Sequence, residues 1–286
     1  MNEIILNLKK ACISISKLMR ETDPFILSKM TNNNNNSGDD VKSLDILAND
    51  FLKKYLSECK DVKIIGSEEE DEFYYTKNNN GRYLVCFDPL DGSSNIDSNI
   101  TVGTIFAIYD IQKGLNNGNC IVSAGYCLYG SSTQFILATN KIEIYLLRDK
   151  DFVLIENNLK IKDKGNIYSI NESNKNKWIG DKDNNLINKL LDLKYSCRWV
   201  GSMVTDCHRT LIKGGIFSYP ANTKDIDGKI RILYEAYPFA YIFKVAGGLS
   251  SNGEKDILNI DFPQNIHQKT PIYLGSNYEM NIFTNF

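Results

Sequence analysis

Apolar residues open the chain at three- and four-residue spacing: Ile4, Ile5, Leu8, Ala11, Cys12, Ile15 and Leu18. That period predicts an amphipathic helix. Val41, Leu44, Leu47, Ala48, Phe51, Leu52 and Leu56 predict a second, with Asp39 or Asp40 as its N-cap. The asparagine tract 32–36, followed by Ser37-Gly38, predicts a mobile loop between them. From Val62 to about Ile155 the period shortens, and β-rich runs alternate with Gly and Asn turns. Asn157-Asn158 is the expected internal boundary and divides the chain into halves 1–158 and 159–286. Further strands are expected beyond it, with helices near 186–193, 203–213 and 236–246, the last ending at Gly247-Gly248. There is no internal repeat, and the whole reads as mixed α/β.

Composition narrows the classes. At 286 residues the chain can bury one large core or two joined domains. Hydrophobic content of 42% and charged content of 24% are those of a soluble globular protein. A formal charge of −2 gives no basic face for nucleic acid or an anionic membrane. No apolar run reaches membrane-spanning length, and Met1-Asn-Glu-Ile-Ile, with its charge at Glu3, does not read as a signal peptide. The cysteines, Cys12, Cys59, Cys86, Cys120, Cys127, Cys197 and Cys207, are scattered, odd in number and form no C-x-x-C pair. Free thiols in a reducing compartment, the cytoplasm, are the expectation. His208 and His267 are too few for a histidine metal site and are expected to be structural.

The candidate chemistry sits at Asp88-Pro-Leu-Asp-Gly-Ser-Ser. The run Tyr83-Leu-Val-Cys-Phe87 before it reads as a buried strand, so Asp88 and Asp91 are expected on a tight turn at its end. Paired carboxylates on a rigid edge are hard oxygen ligands suited to Mg²⁺ or Mn²⁺. Gly92, Ser93 and Ser94 can aim backbone N–H groups at an anion. Metal beside an anion cradle suits phosphate chemistry. A plain turn rich in Pro, Asp and Gly has the same local sequence. A second acidic run, Ser67-Glu-Glu-Glu-Asp-Glu72, follows Ile64-Ile65-Gly66. Most such runs are solvated, but the aliphatic lead-in places Glu68 and Glu69 where a strand emerges. Two strands ending in carboxylates would repel unless a cation compensates them.

Val85-Cys-Phe-Asp-Pro-Leu-Asp-Gly-Ser-Ser-Asn-Ile-Asp97 resembles the signature of class I fructose-1,6-bisphosphatases. The resemblance continues in that family's order through Ser67-Glu-Glu69, Ala124-Gly-Tyr-Cys-Leu-Tyr-Gly130, Ile167-Tyr-Ser-Ile-Asn171, Arg198-Trp-Val-Gly-Ser-Met203 and Asp206-Cys-His-Arg209. Gly215-Ile-Phe-Ser-Tyr-Pro-Ala-Asn222, Gly228-Lys-Ile-Arg-Ile-Leu-Tyr-Glu235 and Ile266-His-Gln-Lys complete it over nearly the whole chain. It implies a layered sugar-phosphatase fold, two mixed α/β halves in one chain, that hydrolyses the 1-phosphate of fructose 1,6-bisphosphate. It implies Mg²⁺, or Mn²⁺, at roughly two or three ions per site.

The resemblance assigns the metals to Glu68, Glu69, Asp88, the backbone carbonyl of Leu90, Asp91 and Glu235. Asp39 joins them from a mobile loop. Asp45, on the apolar side of the second helix by spacing, pairs with Glu68 to orient and deprotonate the attacking water. Asp97 is a lesser supporting acid. The scissile phosphate is expected near Asp91 on the N–H groups of Gly92, Ser93 and Ser94, and the sugar along Gly201, Ser202 and Met203. Asn171, Arg198, Tyr219, Lys229 and Arg231 are candidates for the other phosphate. Arg198 is expected to reach in from a neighbouring subunit of a homotetramer.

Three departures stand out. Asn174 and Trp199 replace family tyrosines, which puts substrate breadth in question. The Thr-Gly-Glu turn of the animal AMP site is expected to be missing, and Asp110 stands where that site has an arginine, leaving Arg82 and Tyr83 without their partners. The chloroplast redox insertion has no counterpart, since 113–119 holds no cysteine. A sedoheptulose-1,7-bisphosphatase or dual-substrate enzyme is the nearest alternative, with Asn99-Ile-Thr-Val-Gly-Thr-Ile-Phe106 reminiscent of that branch. A catalytically silent regulatory homologue is the other, and the intact acids argue against it.

Overall fold

The computed structural model describes residues 1–27, 30–34 and 40–286. Helix α1 (Asn2–Glu21) is followed by the short α2 (Pro24–Leu27), then by strands β1 (Met30–Asn34) and β2 (Asp40–Lys42) and helix α3 (Ser43–Ser57). β1 and β2 pair antiparallel, so the first asparagines of the tract expected to be loop are strand. Asp40 is strand as well, and α3 starts at Ser43, past either N-cap candidate. Asp39 lies outside the described residues.

Strands β3 (Val62–Ser67), β4 (Tyr74–Tyr75), β5 (Tyr83–Asp91), β6 (Val102–Asp110), β7 (Ile121–Tyr129), β8 (Thr133–Ala138), β9 (Ile142–Arg148) and β10 (Asp151–Asn157) form one eight-stranded sheet. Its spatial order is β10-β9-β8-β7-β6-β5-β3-β4. All its pairings are antiparallel except β3 with β5. That parallel pair brings two strand ends to the same edge. Next come β11 (Ile167–Ser169), α4 (Lys182–Asp192), β12 (Ser196–Cys197), α5 (Met203–Lys213), β13 (Ile216–Tyr219) and β14 (Ile230–Arg231). A π-helical turn, Ile232–Ala236, runs into α6 (Tyr237–Ala246), followed by β15 (Leu249–Ser251), β16 (Lys269–Thr270), β17 (Ile272–Gly275) and α7 (Asn277–Thr284). A five-stranded sheet has the order β12-β11-β13-β17-β15, and β14 pairs with β16.

The inner strands of the large sheet, β5, β6 and β7, are buried on both faces, which is why they read as near-continuous apolar runs, while the edge strands β4 and β10 are exposed. Leu84, Cys86, Ile105, Ala107 and Tyr109 face one cluster, shared with Phe239, Ala240 and Phe243 of α6. Their neighbours Val85, Phe87, Phe106 and Ile108 face the other, under α1 and α3 with Ile4, Leu8, Leu52 and Leu56. The alternation is the period of two expected of strands. α6 also packs on β15 and β17 of the smaller sheet, whose far side carries α4 and α7. The layers therefore alternate between helix and sheet, in keeping with the mixed α/β expectation. Gly247, at φ 93°, ends α6 in the left-handed region that glycine tolerates. All seven cysteines are free thiols, and six are buried. Among the described residues no helix is long and apolar enough to cross a membrane.

Candidate active site

Asp88 and Asp91 do not follow β5; they lie within it. This corrects the expected turn. In a regular strand, residues three apart point to opposite faces. Here Asp88 pairs with Ile105 and Asp91 with Gly103, so β5 carries one residue more than β6 between the two pairs. The bulge turns both carboxylates towards the same place. Pro89 suits it because a bulge needs fewer ladder donors. Leu90 N–H donates to Asp88 Oδ1 at 2.9 Å, and Thr104 Oγ1 donates to the Pro89 carbonyl at 2.8 Å. Gly92, at φ 78°, follows at once, and a Cβ there would come within 2.6 Å of Ser202. Only glycine permits that approach.

The other acids arrive from two directions. β3 lies parallel beside β5, and Glu68 N–H donates to the Phe87 carbonyl at 3.2 Å, so Glu68 emerges next to Asp88. Glu235 comes from the π-helical turn before α6, a feature common at functional sites. Its Oε2 reaches back to accept from Arg231 N–H at 2.6 Å. Asp88, Asp91 and Glu235 are all buried and offer oxygens within 4.8 Å of one another. Burial raises Asp88 well above the carboxylate range, with Glu68, Asp91 and Glu235 adding repulsion. Burial pushes Asp91 up to about 6 against the opposing hydrogen bonds from Val204 N–H (2.8 Å) and Ser202 Oγ (3.0 Å). Burial pushes Glu235 to about 8, opposed by Arg231. The donor set is all oxygen, crowded and desolvated, and it fits a hard divalent cation.

Arg231 faces the acids of the site as well as the cavity. It is 5% exposed, with Nη2 3.2 Å from Glu68 Oε1 and Nη1 4.0 Å from Glu235 Oε2. Its guanidinium lies against the acids of the site, where it bridges the two halves of the cluster. Beside it is a cavity of about 290 Å³ lined by Asp91, Asn171, Trp199, Gly201, Met203, Phe217, Tyr219, Lys229, Ile230, Arg231 and Glu235. Trp199 stacks on Phe217 at 6.3 Å and 8°, forming an apolar wall beside Tyr219. Asp206, fully buried, accepts from Val200 and Gly201 N–H at 3.1 Å and from Arg209, and so fixes the loop that carries the wall.

The structure thus gathers most of the expected substrate residues in one cavity. Ser202 is not in the lining; it is 1% exposed and supports Asp91 and Gly92 from behind. Ser93 and Ser94 follow Gly92 in a 3₁₀ turn, Ser93–Asn95. Arg198 is exposed, donates to the Cys197 carbonyl at 2.9 Å and does not line the cavity. Asp97 is exposed and is not one of the clustered buried acids. Asp45 is 4% exposed in the first turn of α3. One and two turns further on, Asn49 and Lys53 hold Glu70 Oε1 at 3.0 and 2.5 Å, and Asn49 Oδ1 accepts from Ser67 Oγ at 2.7 Å. The sequence reading missed this stripe, although polar residues at 45, 49 and 53 in an otherwise apolar helix face were its signal. Asp71 and Glu72 are exposed, as most of an acidic run is.

A buried acidic cluster beside a cavity with a cationic rim defines a phosphatase-type site for an anionic sugar. The N-terminal domain of fructose-1-6-bisphosphatase, as a family model, matches residues 1–154, and the C-terminal domain matches residues 161–286. The chain belongs to the fructose-1,6-bisphosphatase family. It is 46% identical over 260 residues to the class 1 enzyme of Sulfurihydrogenibium sp. (strain YO3AOP1), covering 88% of this chain and 80% of that one. It is 41% identical over 304 residues to fructose-1,6-bisphosphatase 1 of Rattus norvegicus, covering 99% and 82%. The holo crystal structure of the Leishmania major enzyme superposes with a TM-score of 0.94 at 35% identity, covering 99% of this chain and 92% of that one. Its apo form gives 0.88 at 33% identity, with coverage of 99% and 91%.

Proposed function

We propose that this chain hydrolyses the 1-phosphate of fructose 1,6-bisphosphate, giving fructose 6-phosphate and phosphate, with Mg²⁺ or Mn²⁺ as cofactor. One observation carries the reading. Asp88, Asp91 and Glu235 are buried within 4.8 Å of one another, and Asp91 and Glu235 line a cavity that also presents Lys229 and Tyr219. Such a cluster is costly without a cation, and the cavity takes an anion on its other side. Glu68, Glu69, Asp88, the Leu90 carbonyl, Asp91 and Glu235 would hold roughly two or three ions. When bound, the metal supplies Lewis-acid stabilisation of the charge on the transferring phosphoryl group.

The protein's own part is positioning. The scissile phosphate sits against the backbone of Gly92, Ser93 and Ser94, next to Asp91. Gly201 and Met203 contact the sugar, and Trp199 and Phe217 exclude water from one side of it. Asn171, Tyr219 and Lys229 hold the phosphate that does not react, so they supply binding more than turnover. Asp45 and Glu68 orient the attacking water and take its proton. Arg231 offsets the acids. Arg198, exposed in the single chain, completes the second phosphate site of a neighbouring copy in a homotetramer. The half 1–158 carries the acids, apart from Glu235, and the backbone donors for the scissile phosphate, and the half 159–286 carries the donors for the other phosphate. The enzyme acts in gluconeogenesis in the cytoplasm, where its free thiols are at home.

One phosphate-release experiment tests the whole. Fructose 1,6-bisphosphate and sedoheptulose 1,7-bisphosphate are each supplied with Mg²⁺, with Mn²⁺ and with excess EDTA. Release from the fructose substrate that EDTA abolishes is expected. Equal or better turnover of the seven-carbon substrate moves the assignment to the dual-substrate branch, and silence with both substrates overturns it. Mixed oligomers of Arg198→Ala and Asp91→Asn chains are expected to regain activity that neither has alone; no regain in verified hetero-oligomers removes the shared site.

A further inference from the structure

The two histidines share one contact and differ in the next. Tyr126 Oη lies 2.8 Å from His208 Nδ1, and Tyr234 Oη lies 2.8 Å from His267 Nδ1. Both pairs meet edge-on, at 80° and 75°. His208 sits on α5 against β7. His267 has a second partner: its Nε2 is 3.0 Å from the Glu70 carbonyl. A carbonyl only accepts, so Nε2 carries the proton. Burial favours the neutral ring, whose Nδ1 then holds a lone pair and accepts from the Tyr234 hydroxyl. The result is a directed chain, Tyr234 O–H to His267 to Glu70.

Its ends are the two arms of the acidic cluster. Tyr234 precedes Glu235 in the π-helical turn, and Glu70 closes the loop that carries Glu68 and Glu69. The far side of that loop is already fixed, because Asn49 and Lys53 hold the Glu70 carboxylate and the Ser67 hydroxyl accepts from Glu69 N–H at 3.2 Å. His267 is itself braced. Its backbone N–H donates to Asn265 Oδ1 at 2.8 Å, and Ile232 N–H, at the start of the turn, donates to the Gln268 carbonyl at 2.8 Å. The imidazole therefore links the backbone of the two arms, Glu68–Glu69 and Glu235, beside the side-chain bridge that Arg231 makes between Glu68 and Glu235.

We propose that His267 is a positioning residue that sets the spacing of the two carboxylate arms, and with it the affinity for the divalent cation and the turnover number, without touching substrate. This rests on the proposed reading of the acids as metal ligands. The variants are His267→Phe, His267→Gln, Tyr234→Phe and the double Tyr234→Phe/His267→Phe, with His208→Phe as control. Each is measured for Mn²⁺ affinity by calorimetry without substrate, for kcat, for KM towards fructose 1,6-bisphosphate and for Tm.

His267→Phe is expected to weaken Mn²⁺ binding about tenfold, near 1.4 kcal/mol, and to lower kcat while KM stays within about twofold. His267→Gln, whose amide can still donate to the Glu70 carbonyl, recovers most of the affinity. Tyr234→Phe loses part of it, and the double variant is no worse than His267→Phe, because both act through one chain. His208→Phe lowers Tm and leaves Mn²⁺ affinity unchanged. A folded His267→Phe that binds Mn²⁺ within about twofold of the parent overturns the proposal. Should that variant not fold, unaltered Mn²⁺ binding by Tyr234→Phe overturns it equally. If Mn²⁺ affinity follows His267 while the parent hydrolyses neither bisphosphate, the positioning role of His267 stands and the proposed reaction fails.

Discussion

Glu279 and Glu235 are both glutamates that the fold buries, and they are buried differently. Glu279, on α7, is 0% exposed and accepts from Gly165 N–H at 2.9 Å and from the Tyr195 hydroxyl. Both bonds fall on Oε1, Oε2 is buried without a hydrogen-bond partner, and Glu279 is not part of an acidic cluster among the described residues. Asp206 likewise has two backbone N–H groups and Arg209. Glu235 also has donors, yet its neighbours within 4.8 Å include Asp88 and Asp91. The difference lies in like charge rather than in missing hydrogen bonds. An isolated buried acid with donors ties segments together, and three together oppose folding until a cation arrives. Burial with repulsion, beside a cavity, is the signature that separates function from scaffolding here.

The sharpest way to break the comparison is to remove one acid from each setting. Asp91→Asn is expected to lower kcat by about a thousandfold or more, near 4 kcal/mol, while the metal-free protein becomes no less stable because one repulsive charge is gone. Glu279→Ala should do the reverse. It strands the Gly165 N–H and the Tyr195 hydroxyl, costs about 1–3 kcal/mol of stability and leaves kcat alone. Chemical denaturation in EDTA and phosphate release in Mg²⁺ read both quantities. An Asp91→Asn protein within about fivefold of parental turnover ends the contrast.

A smaller effect tests whether a lone acid with a single donor still carries a cost. Asp183 is 4% exposed, accepts from the Tyr273 hydroxyl at 2.9 Å and is pushed up to about 6, chiefly by burial. Because its folded value is raised above the unfolded one, the native state binds more protons between the two. Its favourable contribution is complete below about pH 4 and is lost as pH rises through 6. Asn accepts the same hydroxyl without a charge. Asp183→Asn should therefore gain about 1–2 kcal/mol at pH 8, after allowing for the lost carboxylate in the first turn of α4. The gain should vanish near pH 4. Urea midpoints at both pH values decide it, and a variant less stable at pH 8 refutes the account.

The sequence carried much of this, unevenly. The β5 run was legible because both faces of the sheet are buried at that strand, and Asp88 and Asp91 stood out at its end. The bulge that aims them was not, since it exists only in the pairing with Ile105 and Gly103 on β6. α3 was found by its apolar period, but its start was misplaced because Asp40 pairs in a strand instead of capping. α7 escaped notice because Met280 and Phe283 are almost the whole of its buried face. Arg231 looked like a phosphate ligand on an exposed strand, and only the fold puts its guanidinium on Glu68. Glu235 was tied to the cluster through resemblance alone, as nothing local marks a π-helical turn.

The smallest expected effect is none at all, and it concerns the last of the isolated acids. Asp110 is 1% exposed at the end of β6, and Arg82 binds it through both ends of the guanidinium, Nε to Oδ1 at 3.0 Å and Nη2 to Oδ2 at 2.5 Å. Arg82, expected to lack the partners it has in an AMP site, is instead taken up by Asp110 itself. That pair holds the Asp110 carboxyl below its usual range, with Gln112 N–H adding a third bond. The resemblance puts the AMP phosphate of animal-type relatives at this place. A phosphate arriving here must first take Arg82 from a bidentate partner and then lie beside a carboxylate. A ligand that does not bind cannot bias an equilibrium between states. AMP is therefore expected to leave the rate unchanged across the micromolar range at fixed Mg²⁺ and substrate, with no heat of binding. Asp110→Asn should release Arg82 and let a measurable heat appear. Cooperative inhibition of the parent at micromolar AMP would mean that another surface binds it, and that Asp110 is not the acid that closes this one.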